Sequence, residues 1–367
     1  MLCQKMYTER AFCNTGTKLA MNVSGGGRLV VMHRKNDKKL YDGDYERIIS
    51  FQNLLLAWRS FKCGKQKKID VQVFERDLLN NIMKLHAELR AQTYQHGSYK
   101  AFKINDPKPR DIHKATVRDR VVHHALYRDL AAFYFPLFIA DSYSCQNGKG
   151  THKALDRFTY FARKVSQNHT KTCWVLKCDV VKFFASIDQG ILLEILDKRV
   201  IDNSVLGLIR VIVESFSSGT CGKGLPLGNL TSQLLVNVYM NEFDQFVKHT
   251  LKAEYYIRYA DDFVILSCDR AWLTKTFHSV ERFLQAELAL ELHPRKVSIE
   301  TISSGVDFLG WVHFPCHRSL RTTTRRRVQK GAAGKSVDSP TIQSYLGLLS
   351  HGDTKKLERH IRTNLCD

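Results

Sequence analysis

Two adjacent carboxylates, Asp261 and Asp262, stand between two apolar runs, Tyr255 to Tyr259 and Phe263 to Ser267. As a dipeptide the pair says little, since at an average Asp usage of about 5% it turns up roughly once in a chain of this length. Its setting says more. Like charges side by side between apolar strands repel each other and resist burial unless a cation is held there, and hard carboxylate oxygens suit Mg²⁺ or Mn²⁺. A third acid, Asp179, ends another apolar run, Cys173 to Asp179. Three carboxylates from neighbouring strands can clamp two divalent ions about 3.5–4 Å apart, which activates an attacking hydroxyl and steadies a leaving pyrophosphate. Asp179 alone reads equally well as a strand-end turn residue. The three together are hard to explain as surface acids.

Acids of this kind need strands to carry them and helices to back the strands. The runs around Asp261-Asp262 predict a hairpin with the carboxylates at its tip. Upstream, Phe74, Leu78, Ile82, Leu85 and Leu89 recur at helical spacing behind Asp70, which reads as an N-cap. Residues Tyr99 to Ile104 alternate as a strand, Pro107-Lys108-Pro109 forces a turn, and Val117 to Phe135 reads as a helix closed by Pro136. A basic loop, Gly148-Lys149-Gly150, leads to Thr151, expected to cap a helix presenting Leu155, Phe158, Ala162 and Val165. Helices are expected over about 189–198 and 204–216, then a Gly/Pro turn at Gly224 to Gly228, a long helix from about Thr231 to Leu251, and another over about 271–289. A strand pair around 296–314 and a basic stretch (Arg318, Arg321, Arg325, Arg326, Arg327, Lys330) precede two short helices. Ser339-Pro340 supplies the N-cap and first-turn proline of the first. Before Tyr45, Ser24 to Gly27 and the basic run His33 to Lys39 show no sustained period and read as an arm.

The bulk properties bound the partners. A chain of 367 residues, 44% hydrophobic and 25% charged, can bury substantial cores, and a formal net charge of +20 calls for a polyanion, nucleic acid first. No apolar run reaches 18 residues and no signal-peptide core is present, so a membrane role is not expected and the cytoplasm is. The ten cysteines are scattered without C-x-x-C or zinc spacing, which predicts free thiols.

Tyr259-Ala260-Asp261-Asp262 resembles the Tyr-x-Asp-Asp box of reverse transcriptases, and neighbouring blocks follow in that family's order. Lys108-Pro109-Arg110 and Asp119-Arg120-Val121-Val122 resemble the finger motifs, and Asp179-Val180-Val181-Lys182-Phe183-Phe184 the first catalytic block. The run from Gly224 to Gln233 resembles the template-binding block; Leu292 to Lys296 and Phe308-Leu309-Gly310 resemble the lysine block and the primer grip. The resemblance covers about residues 50 to 350. Within the family, the match is to the diversity-generating retroelement lineage, which copies a template-repeat RNA into adenine-mutagenised cDNA. Most other reverse transcriptases have Gln where Leu227 stands and Pro where Gln233 stands, and the Ser344-Tyr345-Leu346-Gly347 run resembles that lineage's thumb.

The resemblance implies an α+β right-hand polymerase, with mainly fingers over 48–172, mainly palm over 173–315 and a helical thumb over 316–367, preceded by an N-terminal basic extension over 1–47 that it does not cover. Asp179, Asp261 and Asp262, with the Val180 carbonyl, would hold two Mg²⁺ ions, with Mn²⁺ as a possible substitute. Lys108 and Arg110 would meet the triphosphate of an incoming deoxynucleotide, with Leu227 and Gly228 near the nascent pair. Phe184 would exclude a ribose 2′-hydroxyl, although an aromatic beside a strand end is more often core. Lys296 would protonate pyrophosphate or make a plain phosphate contact. Ser232, Gln233, Tyr259, Leu309, Gly310 and Arg325 to Arg327 would face template and primer, the arginines without reading sequence; a solvated linker is the other reading of their segment. Implied partners are the template RNA, the RNA–DNA hybrid and a small basic accessory protein oligomer. A retron, a group II intron relative and a phage-defence polymerase share the metal site. An RNA-copying polymerase is opposed by Phe184, and a silent RNA-binding scaffold by the intact acids.

Overall fold

The sheet that carries the acids is sandwiched because its strands alternate between two cores. In the computed structural model, which describes residues 39–105, 109–336 and 338–363, β3 (Trp174–Asp179) is the third strand of the chain. It follows the paired β1 (Lys100–Ile104) and β2 (Arg110–Lys114). On one side it pairs antiparallel with β5 (Asp262–Ser267), which pairs in turn with β4 (Tyr256–Tyr259), and on the other with β6 (Ser298–Thr301), giving the order β4-β5-β3-β6. Leu176, Cys178, Tyr256, Phe263 and Ile265 enter one apolar cluster, while Val175, Ile257, Val264 and Leu266 enter the other. This is the period of two expected of a strand, with both faces covered, and it explains why these segments read as unbroken apolar runs.

Helices supply the first core. Ahead of the β1–β2 ribbon come α1 (Tyr45–Ile49), α2 (Phe51–Lys62), α3 (Ile69–Arg76) and α4 (Leu78–Arg90); after it come α5 (Val117–Tyr134) and α6 (Thr151–Val165). Beyond β3 follow α7 (Phe183–Ser186), α8 (Gln189–Asp197), α9 (Asn203–Glu214), α10 (Leu230–Gln245) and, after β5, α11 (Arg270–Leu288). Side chains from α2, α4, α5, α8, α9, α10 and α11 fill this cluster. The second core is closed by α6 and by a separate antiparallel sheet, β7 (Val306–Phe308), β8 (Trp311–His313) and β9 (Arg318–Leu320), together with α12 (Thr322–Ala332), α13 (Pro340–Leu349) and α14 (Lys355–Thr363). The architecture is α+β, as expected, and Ser339 and Pro340 cap α13 as expected. Every described cysteine is a free thiol, and no described helix is long and apolar enough to cross a membrane.

Several expectations are corrected. The amphipathic helix behind Asp70 is two helices broken at Asp77, whose φ of −123° and ψ of 44° leave the helical region. The apolar period runs through the break because both helices face one core. Asp70 caps nothing; it lies in the first turn of α3 and pairs with Lys114 at 2.7 Å and Arg120 at 2.8 Å. Thr151 is likewise inside its helix, after Gly150 at the cap position. The strand pair around 296–314 is split, β6 joining the central sheet and β7 the second one, because a turn at Ile302–Ser304 and Gly305 at φ 88° redirect the chain. The long helix is α-helical only to Gln245 and widens over Phe246–Thr250. The extension assigned to residues 1–47 gives way to packed chain at Tyr41, which is 3% exposed and donates its N–H to the Arg199 carbonyl at 2.7 Å. The arm at Ser24 to Gly27 and the turn residues Pro107 and Lys108 lie outside the described residues.

Candidate active site

Strand register, set by the alternating core residues, brings the acids together. Asp179 stands directly opposite Asp262 across the β3–β5 ladder, and Tyr259 opposes Asp262 across the β4–β5 ladder. The hairpin turn is therefore Ala260-Asp261, so that Asp261 sits at the tip while Asp262 is already the first residue of β5. Ala260 has φ 56°, a left-handed conformation that costs a residue with a Cβ about 1–2 kcal/mol. Asp262 Oδ1 is buried with no hydrogen-bond partner. Burial pushes the Asp262 carboxyl up to about 7, against the pull of Lys177 and with the charges of Asp179, Asp261 and Asp307 adding to the rise. Asp261 is also raised, by burial and by Asp179, with Lys296 and Arg110 opposing.

Such a cluster resists carrying three negative charges without a cation. Among the described residues no three acid, His or Cys groups converge tightly enough to enclose an ion as they stand, and Asp179 Oδ1 accepts instead from Lys296 Nζ at 2.9 Å. The donor set nevertheless fits a hard divalent ion, because two of its carboxylates face each other on paired strands with the third in the adjoining turn, and one oxygen is buried and unpartnered. Val180 follows Asp179 directly and bridges to Leu292. Its neighbours pair with the 291–293 segment through the Asp179 carbonyl and the Val181 N–H, leaving the Val180 carbonyl outside that pairing.

Around this centre, Arg110 starts β2 and lies close enough to weigh on Asp261. Phe183 is buried, and Phe184, 5.6 Å away edge-on, is half-buried against the helical core. The Phe184 carbonyl accepts from the Leu225 N–H at 2.8 Å, tying α7 to the Gly224–Gly228 loop. That loop is strapped to β2: the His113 N–H donates to the Leu227 carbonyl at 3.0 Å, and Asn229 Nδ2 to the His113 carbonyl at 2.8 Å. At Gly228, φ is 111° and an added Cβ would stand 2.8 Å from Ile112 Cγ2, so only glycine allows the close approach.

The sequence profile of the family described as reverse transcriptase (RNA-dependent DNA polymerase) matches residues 103–313, more than half of the chain, and takes in all of the site residues just placed. The chain belongs to the reverse transcriptase family. Protein YkfC of Escherichia coli (strain K12) is 24% identical over 257 residues, which cover 59% of this chain and 65% of that protein. The group II intron-encoded protein LtrA of Lactococcus lactis subsp. cremoris is 22% identical over 306 residues, covering 64% of this chain and 49% of LtrA. The chain thus spans from about half to just under two thirds of the length of these relatives. A solved structure of apo telomerase from Candida tropicalis overlaps 61% of this chain and 55% of its own at a TM-score of 0.46 and 12% identity.

The remaining sequence-predicted residues of this family member lie on several elements. Ser232 is buried in the first turn of α10, with Gln233 half-exposed beside it. Tyr259 is half-buried, its hydroxyl accepting from Thr151 Oγ1 at 3.3 Å. Leu309 and Gly310, at φ 51° and 86°, form the two-residue turn between β7 and β8. Arg325 and Arg326 are exposed on α12 and Arg327 is half-exposed. The stretch expected as either a nucleic-acid track or a linker is therefore a strand and a helix, anchored by Arg318 to Asp156 at 3.0 Å and by Arg321 to Asp307. Lys108 lies outside the described residues.

Sequence reasoning missed Arg258 and Asp244. Both are fully buried, and they form a bidentate pair directly beneath the Ala260-Asp261 turn. A signal was available, since a lone arginine inside the apolar run Tyr255 to Tyr259 demands a buried partner. Lys177 and Asp307, which both bear on Asp262, were missed as well. They lie on β3 and β7, and only the folded arrangement places them near it.

Proposed function

We propose that the chain is an RNA-directed DNA polymerase that extends a primer 3′-hydroxyl with deoxynucleoside triphosphates along an RNA template. Its fingers would span about 48–172, its palm 173–315 and its thumb 316–367. The observation that carries this reading is the opposition of Asp179 to Asp262 beside Asp261, in a setting that burial makes hostile to uncompensated carboxylates. Those three acids, with the Val180 carbonyl, would hold two Mg²⁺ ions, or Mn²⁺. Bound there, the ions would favour the ionised hydroxyl nucleophile and offset charge on the leaving pyrophosphate.

The other steps belong to the chain's own groups. Arg110 presents a planar fork suited to triphosphate oxygens, and Lys108 adds charge beside it. Lys296 carries a proton at Nζ next to Asp179, where it can be given to the leaving pyrophosphate. Phe184 can set a ring beneath the incoming sugar and exclude a 2′-hydroxyl. Gln233, Tyr259, Leu309 and Gly310 would line the approach of template and primer, with Ser232 buried in the turn beside Gln233, and Arg325 to Arg327 would hold the RNA–DNA hybrid through its phosphates.

More narrowly, the RNA is a template repeat and the product an adenine-mutagenised cDNA that diversifies a target gene, as in diversity-generating retroelements. Leu227 and Gln233 support this. A Gln amide at the Leu227 position could hydrogen-bond near the nascent pair and Leu cannot, a difference on the order of 1–3 kcal/mol or roughly ten- to a hundredfold in discrimination. The weaker A·T pair should suffer most. A small basic accessory oligomer would join the assembly, and because this chain also carries +20, RNA between them would hold the two together.

A second reading, a group II intron-like enzyme, is favoured by LtrA among the relatives; retron and phage-defence enzymes would share the same acids. Sequencing cDNA made on one RNA template by the natural protein and by Leu227→Gln tests the narrower reading. The expected result is frequent misincorporation opposite adenine that falls in the variant. Equal adenine error spectra would leave the lineage without its mechanism.

A further inference from the structure

We infer that Arg258 is a positioning residue that holds the Ala260-Asp261 turn in its catalytic shape, with Asp244 as its anchor; the inference rests on the polymerase reading above. Arg258 Nε donates to Asp244 Oδ1 at 2.7 Å and Nη2 to Asp244 Oδ2 at 2.6 Å, while Tyr256 Oη donates to the same Oδ1 at 2.7 Å. The fork is thereby fixed from behind. Its forward nitrogen, Nη1, donates to the Ala260 carbonyl at 3.0 Å and to Asn237 Oδ1 at 3.2 Å, and Nη2 also reaches Ser142 Oγ at 3.1 Å. One guanidinium thus connects α10, through Asp244 and Asn237, to the peptide that immediately precedes Asp261.

Three observations point to positioning rather than to core stability alone. A buried ion pair is a poor stabiliser compared with apolar residues of similar volume, so its presence here is better explained by what it aims at. What it aims at is the carbonyl of Ala260, which sits at φ 56° without being glycine and needs a partner to keep it there. Arg258 is also the one residue of the β4 run whose side chain is charged, in a strand otherwise made of Tyr and Ile. A lysine has a single nitrogen in place of the fork, so it cannot reproduce the paired bonds to Asp244 together with the separate bond from Nη1 to Ala260.

The test uses the full chain with Arg258→Lys and, separately, Arg258→Met combined with Asp244→Leu. Three measurements are made: steady-state primer extension with Mg²⁺, thermal midpoint, and hydrogen–deuterium exchange of the hairpin peptide around residues 256–264. For a turn that has lost its clamp but kept its fold, kcat should fall roughly ten- to a hundredfold with KM for the deoxynucleotide nearly unchanged, since misplacement by about 1 Å can cost that much. Hairpin exchange should rise in the same variants without Mg²⁺ or substrate, and the midpoint should stay near that of the natural protein. Folded variants with natural kcat and natural exchange would overturn the clamp. A loss of kcat that merely tracks the thermal midpoint would also overturn it. Should neither variant fold, exchange in the natural protein decides, because a clamped turn is protected and one that exchanges like an open loop is not clamped. A natural protein without Mg²⁺-dependent extension would instead refute the polymerase reading, and the exchange measurements would still judge the clamp.

Discussion

A carboxylate half-buried beside two others weakens the fold that holds it, and Asp262 is the sharpest case because its Oδ1 has no partner. Replacing it with Ala removes both the charge repulsion and an orphaned acceptor. We expect Asp262→Ala to abolish Mg²⁺-dependent synthesis and, without metal, to raise the thermal midpoint. Relief of about 1 kcal/mol corresponds to roughly 1–1.5 °C for a chain of this size. Calorimetry beside primer extension checks both parts; retained extension would dismiss the metal-site assignment, and a lowered midpoint would dismiss the burial argument. Phe184 poses a different question at the same scale, since its ring is only half-buried and its neighbour Phe183 already serves the core. Phe184→Val should admit ribonucleotides while keeping much of the deoxynucleotide activity. An unchanged ratio in a dATP and ATP competition would return Phe184 to packing.

Between elements, a close fit near the acids is where the Gly224–Gly228 loop meets β2. The loop is held by the Leu227 carbonyl and the Asn229 side chain, and Gly228 fits against Ile112 only because it lacks a Cβ. Gly228→Ala combines a positive φ with that clash and should destabilise by about 1–3 kcal/mol while raising KM for the deoxynucleotide more than it lowers kcat. Adding Ile112→Ala should recover part of the KM and little of the stability, since the backbone strain remains. If KM does not move in Gly228→Ala, the loop does not shape the nucleotide site.

For the molecule as a whole, buried histidines govern the response to acid. Burial, helped by neighbouring positive charges, pushes His123 down to about 3, His124 to about 4 and His313 to about 3. An unfolded histidine titrates near 6.5, so between about pH 6.5 and 4 the unfolded chain binds protons that the folded chain refuses. The histidine contribution to stability is therefore full above 6.5 and falls as pH drops, at up to about 1.4 kcal/mol per pH unit for each such histidine, while the raised carboxyl of Asp262 opposes it as a single group below about pH 7. We expect the urea midpoint to decline steadily from pH 7 to pH 5, with a shallower slope in His124→Asn. A midpoint that stays flat over that range would show that these rings are accessible to protons in the folded chain.

How much of this was legible in advance depends on the range of the physics involved. The acids at 261 and 262, the apolar strands beside them, the caps at Ser339 and Pro340 and most helices follow from repulsion, periodicity and backbone preference, all of which act over a few residues. The same locality explains the failures: the helical period passed unaltered through the break at Asp77, and β6 and β7 looked like partners because alternation does not say which sheet a strand joins. Tertiary structure alone decided that Asp179 faces Asp262, that Lys296 reaches across 117 positions to Asp179, and that Arg258 finds Asp244 beneath the catalytic turn. Such pairings are set by strand register and by which core a side chain enters, and a one-dimensional pattern carries the need for a buried charge to be satisfied without naming the residue that satisfies it.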